Sequence, residues 1–111
     1  EHGAVKYKTL PPKDFHKWAV ICEHIIKHYC YGWADGFNMD IEYWEIWNEP
    51  DLDIYQDYKR TWTGTSDEFF DLYETAAKHL KEKFPHLKNC YYSYTSSTLS
   101  IHSFDPLYPV Q

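Results

Sequence analysis

The sequence has no surplus of basic residues, since 11 Lys and Arg stand against 17 Asp and Glu, for a formal net charge of -6. Proteins that bind nucleic acids neutralise phosphates with clustered Lys and Arg, and no such cluster is present, so we expect no nucleic-acid partner. No apolar run approaches the roughly 18 residues that suggest a membrane span, so we expect no membrane partner.

Cysteines are also few. The three residues Cys22, Cys30 and Cys90 are odd in number and show no CxxC spacing. They therefore predict neither a disulfide framework nor a zinc signature. Residues 1–5 do not have the character of a signal peptide. Together these features slightly favour a cytoplasmic location.

Aromatic side chains are abundant, at 20% of residues, in a composition that is 43% hydrophobic and 25% charged. This balance is typical of a globular chain and argues against disorder. The length of 111 residues fits one small domain. The aromatic content suits either a dense core or a site that stacks flat ligands.

Hydrophobic periodicity predicts two helices, over residues 14–31 and 66–84. Asp14 is a suitable N-cap for the first helix. Thr65 with Glu68 three residues later forms the pattern of a capping box at the start of the second.

Residues 41–48 lie between the helices, are rich in β-branched and aromatic types, and predict a strand that ends before Pro50. Helix, strand and helix at these lengths indicate an α/β fold with a parallel sheet. Alternation along the strand predicts Tyr43, Glu45, Trp47 and Glu49 on one face, and Trp44 and Ile46 on the apolar face toward the helices.

The candidate chemistry lies in Trp47-Asn48-Glu49-Pro50, because ligand sites in parallel α/β folds form at the carboxyl ends of strands. Glycoside cleavage needs a carboxylic acid that protonates the leaving oxygen, and Glu49 is the candidate. Nearby Trp side chains and Glu45 would raise its pKa by desolvation and like charge. Asn48 is placed to hydrogen-bond a sugar 2-OH, and Trp47 is either a wall of the substrate site or part of the core.

The run from Ile41 to Asp51, Ile-Glu-Tyr-Trp-Glu-Ile-Trp-Asn-Glu-Pro-Asp, resembles the fourth barrel strand of clan A glycoside hydrolases. Together with Trp-Thr-Gly-Thr at 62–65 and the lead-in at 10–18, the chain is most similar to glycoside hydrolase family 39, the β-xylosidase and α-L-iduronidase group. The resemblance covers about residues 7–88. Asn-Glu-Pro alone is shared by many clan A families.

The resemblance implies a (β/α)8 barrel of parallel strands alternating with helices, a retaining mechanism, a xyloside-like carbohydrate substrate and no cofactor. It implies Glu49 as the acid/base and Asn48 as the neighbouring substrate-binding amide. It also implies a nucleophilic Glu on the seventh strand, beyond residue 111, and no residue here matches that motif. A whole barrel needs roughly 250 residues, so we predict a fragment of a retaining glycoside hydrolase with little or no activity alone.

The chain after residue 88 departs from the family pattern. The family usually continues into a Gly-rich fifth strand, whereas this sequence becomes rich in Tyr and Ser. We therefore divide the chain into a barrel fragment, 1–88, and an atypical tail, 89–111, in which a short strand at 90–95 is still compatible with the composition.

Two other interpretations stay open. In the first, the chain is a non-catalytic remnant that binds carbohydrate or self-associates, since an incomplete barrel exposes strand edges and apolar faces that a homo-oligomer would cover. In the second, it is an independent α/β domain unrelated to sugars, and the Trp-Asn-Glu-Pro match is accidental.

Several residues also have interpretations without catalysis. Glu49 fits a surface loop carboxylate, Asn48 a turn residue and Glu45 a buried carboxylate with structural hydrogen bonds. Trp62 either stacks against a sugar or pins its loop to the core, and pinning is favoured.

No metal site is predicted. His24 and His28 are four residues apart on one helix, but the HExxH pattern is absent, so we interpret them as a solvated face. The loop aspartates fail the calcium-loop pattern, which would need Gly at Gln56 and Glu at Trp62. We interpret these aspartates as a solvated loop that includes Asp51, Asp53 and Asp57.

Overall fold

The computed structural model describes residues 7–53, 55–95 and 98–103. A 3-10 turn at Tyr7–Thr9 precedes helix α1, Phe15–Tyr31, strand β1, Tyr43–Asn48, and helix α2, Ser66–Lys83. Strands β2, Lys88–Thr95, and β3, Thr98–Ser103, follow. The sheet order is β1-β2-β3, with β1 and β2 parallel and β2 and β3 antiparallel. The segment β1-α2-β2 is therefore the parallel βαβ unit that the sequence predicts, and β3 departs from the predicted alternation of strands with helices.

Both predicted helices are confirmed, and their ends have local causes. The Asp14 carboxylate accepts a hydrogen bond from the backbone N–H of Lys17 at 2.9 Å. Gly32 ends α1 in the left-handed region, with φ of 75°, where glycine has no Cβ penalty. At α2 both hydrogen bonds of the Thr65–Glu68 capping box are present.

The core lies where the two helices pack against each other and against β1. Its members are the buried apolar residues Ala19, Ile26, Ile46, Trp62, Phe69, Leu72, Tyr73, Ala76, Ala77, Leu80, Phe84 and Leu87. Half of them lie on one face of α2. The strand therefore has one face on the helices.

A hydrogen bond from His79 to Glu23 also joins the two helices. The Glu23 side chain on α1 is only 8% exposed and lies 2.5 Å from Lys27 Nζ and 2.7 Å from Nε2 of His79 on α2. An ionised carboxylate can only accept hydrogen bonds, so the His79 nitrogen donates. This buried pair bridges the two helices.

The strand with which the composition of residues 90–95 is compatible is present as part of β2. Residues 96–97 and 104–111 of the predicted tail lie outside the described residues, and the division of the chain at residue 88 stays a prediction. Within the described part, neither helix has the length and apolar character needed to cross a membrane.

Candidate active site

Glu49 follows the last residue of β1, at the carboxyl end of the parallel pair, where the sequence places it. The pairing with β2 is regular from Tyr43 to Glu45 and then shifts before Asn48. In this irregular segment Trp47 has φ of 69° and Glu49 has φ of 44°. Left-handed backbone costs a residue with a side chain about 1–2 kcal/mol, so surrounding contacts must hold the turn.

The shift changes the direction of Trp47. Alternation predicted it on the same face as Glu45, but it packs against the core beside Trp18 and Trp62, at ring-centroid distances of 6.1 Å and 5.1 Å. Its indole N–H donates to the carbonyl oxygen of Thr61 at 2.9 Å. The face prediction was therefore wrong for Trp47, because a bulge inserts a residue and breaks the period of two.

Asn48 is exposed and Glu49 is half-buried. These two residues therefore stand together at the rim of the strand end, where solvent or a ligand reaches them. Their roles in substrate binding and acid/base chemistry stay predictions.

Glu45 was expected to be buried with structural hydrogen bonds, but its side chain is exposed. Partial desolvation of its carboxyl raises its pKa above 4.5, and the charge of Glu49 adds to the increase. The carboxylates of Glu45 and Glu49 therefore interact electrostatically at the strand end.

We expect Glu49→Gln to lower the pKa of Glu45 only part of the way to its ordinary value. The substitution removes the like charge but leaves desolvation, the larger cause. A carboxyl 13C NMR titration of the chain and this variant measures the change. An unchanged pKa of Glu45 would show that the two groups do not interact.

The loop after Glu49 is closed by an ion pair that the sequence interpretation missed. Arg60 donates from Nε to Asp53 Oδ2 at 2.8 Å and from Nη2 to Oδ1 at 3.0 Å. The hydrogen bond from Arg60 holds the pKa of Asp53 below its ordinary value. The solvated-loop interpretation did not include this pair, and the bidentate pair restrains the segment between the two residues.

Trp62 anchors the end of this loop. It is 3% exposed, its ring packs edge-on against Phe69, and its indole N–H donates to the Thr65 carbonyl at 2.9 Å. The favoured interpretation, that Trp62 pins the loop to the core, is confirmed, since a buried ring cannot stack on a sugar.

The two histidines of α1 are half-buried rather than fully solvated. Nδ1 of His24 lies 2.8 Å from the carbonyl oxygen of Val20, and Nδ1 of His28 lies 2.9 Å from that of Trp33. Across the described residues, no group of three or more His, Cys, Asp or Glu side chains is placed to hold a metal ion.

Several known proteins are similar to this chain in sequence or structure. A solved glucosidase structure from Croceicoccus marinus shares 33% identity with the chain and matches it with a TM-score of 0.61, over 73% of this chain and 16% of that one. A curated beta-xylosidase from Caldicellulosiruptor saccharolyticus is 32% identical over 79 residues, 69% of this chain and 14% of its own length. A beta-xylosidase from Geobacillus stearothermophilus is 32% identical over 88 residues, 75% of this chain and 15% of its own length.

These relatives define the chain as part of a glycoside hydrolase. The family model for glycosyl hydrolases family 39 matches residues 4–98, and the chain belongs to this family. The resemblance stated from the strand and loop motifs is therefore confirmed. The chain spans only 14% and 15% of the length of the two curated relatives.

Proposed function

We propose that this chain is the acid/base-bearing part of a retaining (β/α)8-barrel glycosidase that cleaves terminal β-xylosidic bonds. The observation that carries the proposal is the position of Glu49 directly after β1, at the carboxyl end of a parallel βαβ unit. Sites of barrel enzymes form at this end of the strands. The names of the curated relatives supply the sugar class.

In this proposal β1 and β2 are the fourth and fifth strands of the barrel. Glu49 protonates the leaving oxygen as the anomeric carbon becomes oxocarbenium-like, and afterwards removes a proton from the attacking water. Asn48, exposed beside it, donates to the 2-OH of the sugar. Trp47 is half-buried, so only the uncovered part of its ring contributes to the wall of the site.

A retaining reaction also needs a nucleophilic carboxylate about 5–5.5 Å from the acid/base. The sequence offers no residue that matches the motif of that nucleophile. We therefore expect the isolated chain to hydrolyse substrate slowly or not at all, since the acid/base alone gives a small part of the barrier reduction.

The test is hydrolysis of an aryl β-xyloside by the purified chain, by Glu49→Ala and by Glu82→Ala, an exposed control on α2. If turnover falls in Glu49→Ala alone and azide restores it, the acid/base role is supported. The nucleophilic carboxylate would then come from a second copy of the chain in an oligomer. Equal turnover in all three proteins, above the blank, would contradict the role of Glu49. No turnover in any of the three proteins would show that the isolated chain is inactive. The next measurement would then be carbohydrate binding at Asn48.

A second candidate function, self-association without catalysis, is favoured by one observation. Helix α1 exposes apolar side chains on the face turned away from α2, with Ile21 at 57% and Ile25 at 45% exposure. These residues line an open apolar depression with Tyr29 and Trp33. A homo-oligomer would cover this surface, so sedimentation should show mass rising with concentration, and a monomer at high concentration would exclude this candidate.

A further inference from the structure

The backbone carbonyl oxygen of Glu49 accepts two hydrogen bonds. Thr61 Oγ1 donates to this oxygen at 2.6 Å, and the backbone N–H of Leu52 donates to it at 3.1 Å. The Leu52 bond is local and belongs to the turn itself. The Thr61 bond comes from twelve residues along the chain, and it therefore ties the far end of the loop to the residue with φ of 44°.

Thr61 is itself fixed in place. Its carbonyl accepts the indole N–H of Trp47 at 2.9 Å, and its neighbour Trp62 is buried in the core. Two hydrogen bonds are thus connected through Thr61: the Trp47 side chain binds the Thr61 backbone, and the Thr61 side chain binds the Glu49 backbone. Trp47 and Glu49, the two residues with left-handed φ at the strand end, are both hydrogen-bonded to Thr61.

The loop between these contacts has its own restraint. The bidentate Asp53–Arg60 pair closes the segment that separates Glu49 from Thr61. Because the ion pair already restricts this segment, less conformational entropy is lost when the Thr61 hydroxyl binds the Glu49 carbonyl.

We propose that Thr61 is a positioning residue for Glu49, whose hydroxyl holds the left-handed turn from which the Glu49 carboxyl projects toward substrate. The inference rests on the proposed acid/base role of Glu49. Catalytic groups need positions fixed to a fraction of an ångström, and a residue with an unfavourable φ holds its position only while its contacts persist.

The test observes the carbonyl directly. Glu49-Pro50 is the sole Glu-Pro pair in the sequence, so 13C-carbonyl Glu with 15N-Pro labelling gives one coupled carbonyl resonance. Thr61→Val removes the donor at nearly constant volume, and Thr61→Ser keeps it. Thr63→Val is the matched control, because the Thr63 hydroxyl donates to the Thr9 carbonyl at 3.1 Å instead.

We expect Thr61→Val to move the Glu49 carbonyl resonance upfield and to change the HN–Hα coupling of Glu49 to that of an extended residue with negative φ, the conformation favoured before a proline. Thr61→Ser and Thr63→Val should keep both signals, with circular dichroism showing that all variants fold. An unmoved resonance in Thr61→Val, or an equal shift in Thr63→Val, would overturn the proposal. This readout needs no turnover, so failure of the acid/base role in the hydrolysis assay is separate from failure of the positioning role.

Discussion

Replacing Trp62 with alanine is expected to lower the free energy of unfolding by about 3–5 kcal/mol, the range for large aromatic truncations in cores. Trp62 is 3% exposed and its ring packs edge-on against Trp47 and Phe69. The truncation leaves a cavity between the strand end and α2, and it removes the indole donor to Thr65, the N-cap of that helix. Urea denaturation followed by far-UV circular dichroism measures the loss.

The matched control is Tyr55→Ala in the same loop, since Tyr55 is 95% exposed. We expect it to change stability by less than about 0.5 kcal/mol. Trp62→Phe should fall between the two, because it keeps much of the buried ring and loses the hydrogen bond. A Trp62→Ala loss as small as that of Tyr55→Ala would mean that the loop does not depend on its anchor.

Replacing Glu23 with glutamine is expected to cost about 2–3 kcal/mol of unfolding free energy at pH 7, because it removes the buried carboxylate that accepts hydrogen bonds from both Lys27 and His79. The Glu23 side chain is 8% exposed and its two partners lie within 2.7 Å. The exposed pair Glu74–Lys78 has the same i,i+4 spacing on α2. Glu74→Gln is therefore the control, with an expected cost below about 0.5 kcal/mol.

The same pair predicts a dependence on pH. Hydrogen bonding to Lys27 lowers the pKa of Glu23 below 4.5, against desolvation, and His79 adds to the lowering. A depressed pKa in the folded state means that the stabilisation is complete above 4.5 and is lost as pH falls through the folded value. The stability difference between the chain and Glu23→Gln should therefore shrink in acid below that pH. A difference that stays constant down to acid pH would show that Glu23 ionisation does not stabilise the fold.

Much of the fold follows from short stretches of sequence. The Asp14 cap and the Thr65–Glu68 capping box each act within three residues, and both are present as expected. The apolar spacing of α2 indicates the helix face that supplies half of the core, since helix periodicity depends only on neighbouring turns.

The site was predicted in part. The place of Glu49 after a strand is visible in the sequence, because Pro50 cannot continue the ladder. The direction of Trp47 was not, because the shift in pairing before Asn48 depends on the register with β2, about forty residues away. The Asp53–Arg60 pair could have been suspected from opposite charges in one short loop, but their bidentate geometry is set by how that loop folds.

The sequence by itself therefore determined the two helices, the strand, the family and the candidate acid, since each depends on local caps, periodicity or a contiguous motif. Only the tertiary structure decided which residues distant in the chain contact each other. Thr61 meets Glu49 across twelve residues, and Glu23 meets His79 across fifty-six. Such contacts depend on how whole elements pack, and no spacing along the chain encodes that packing.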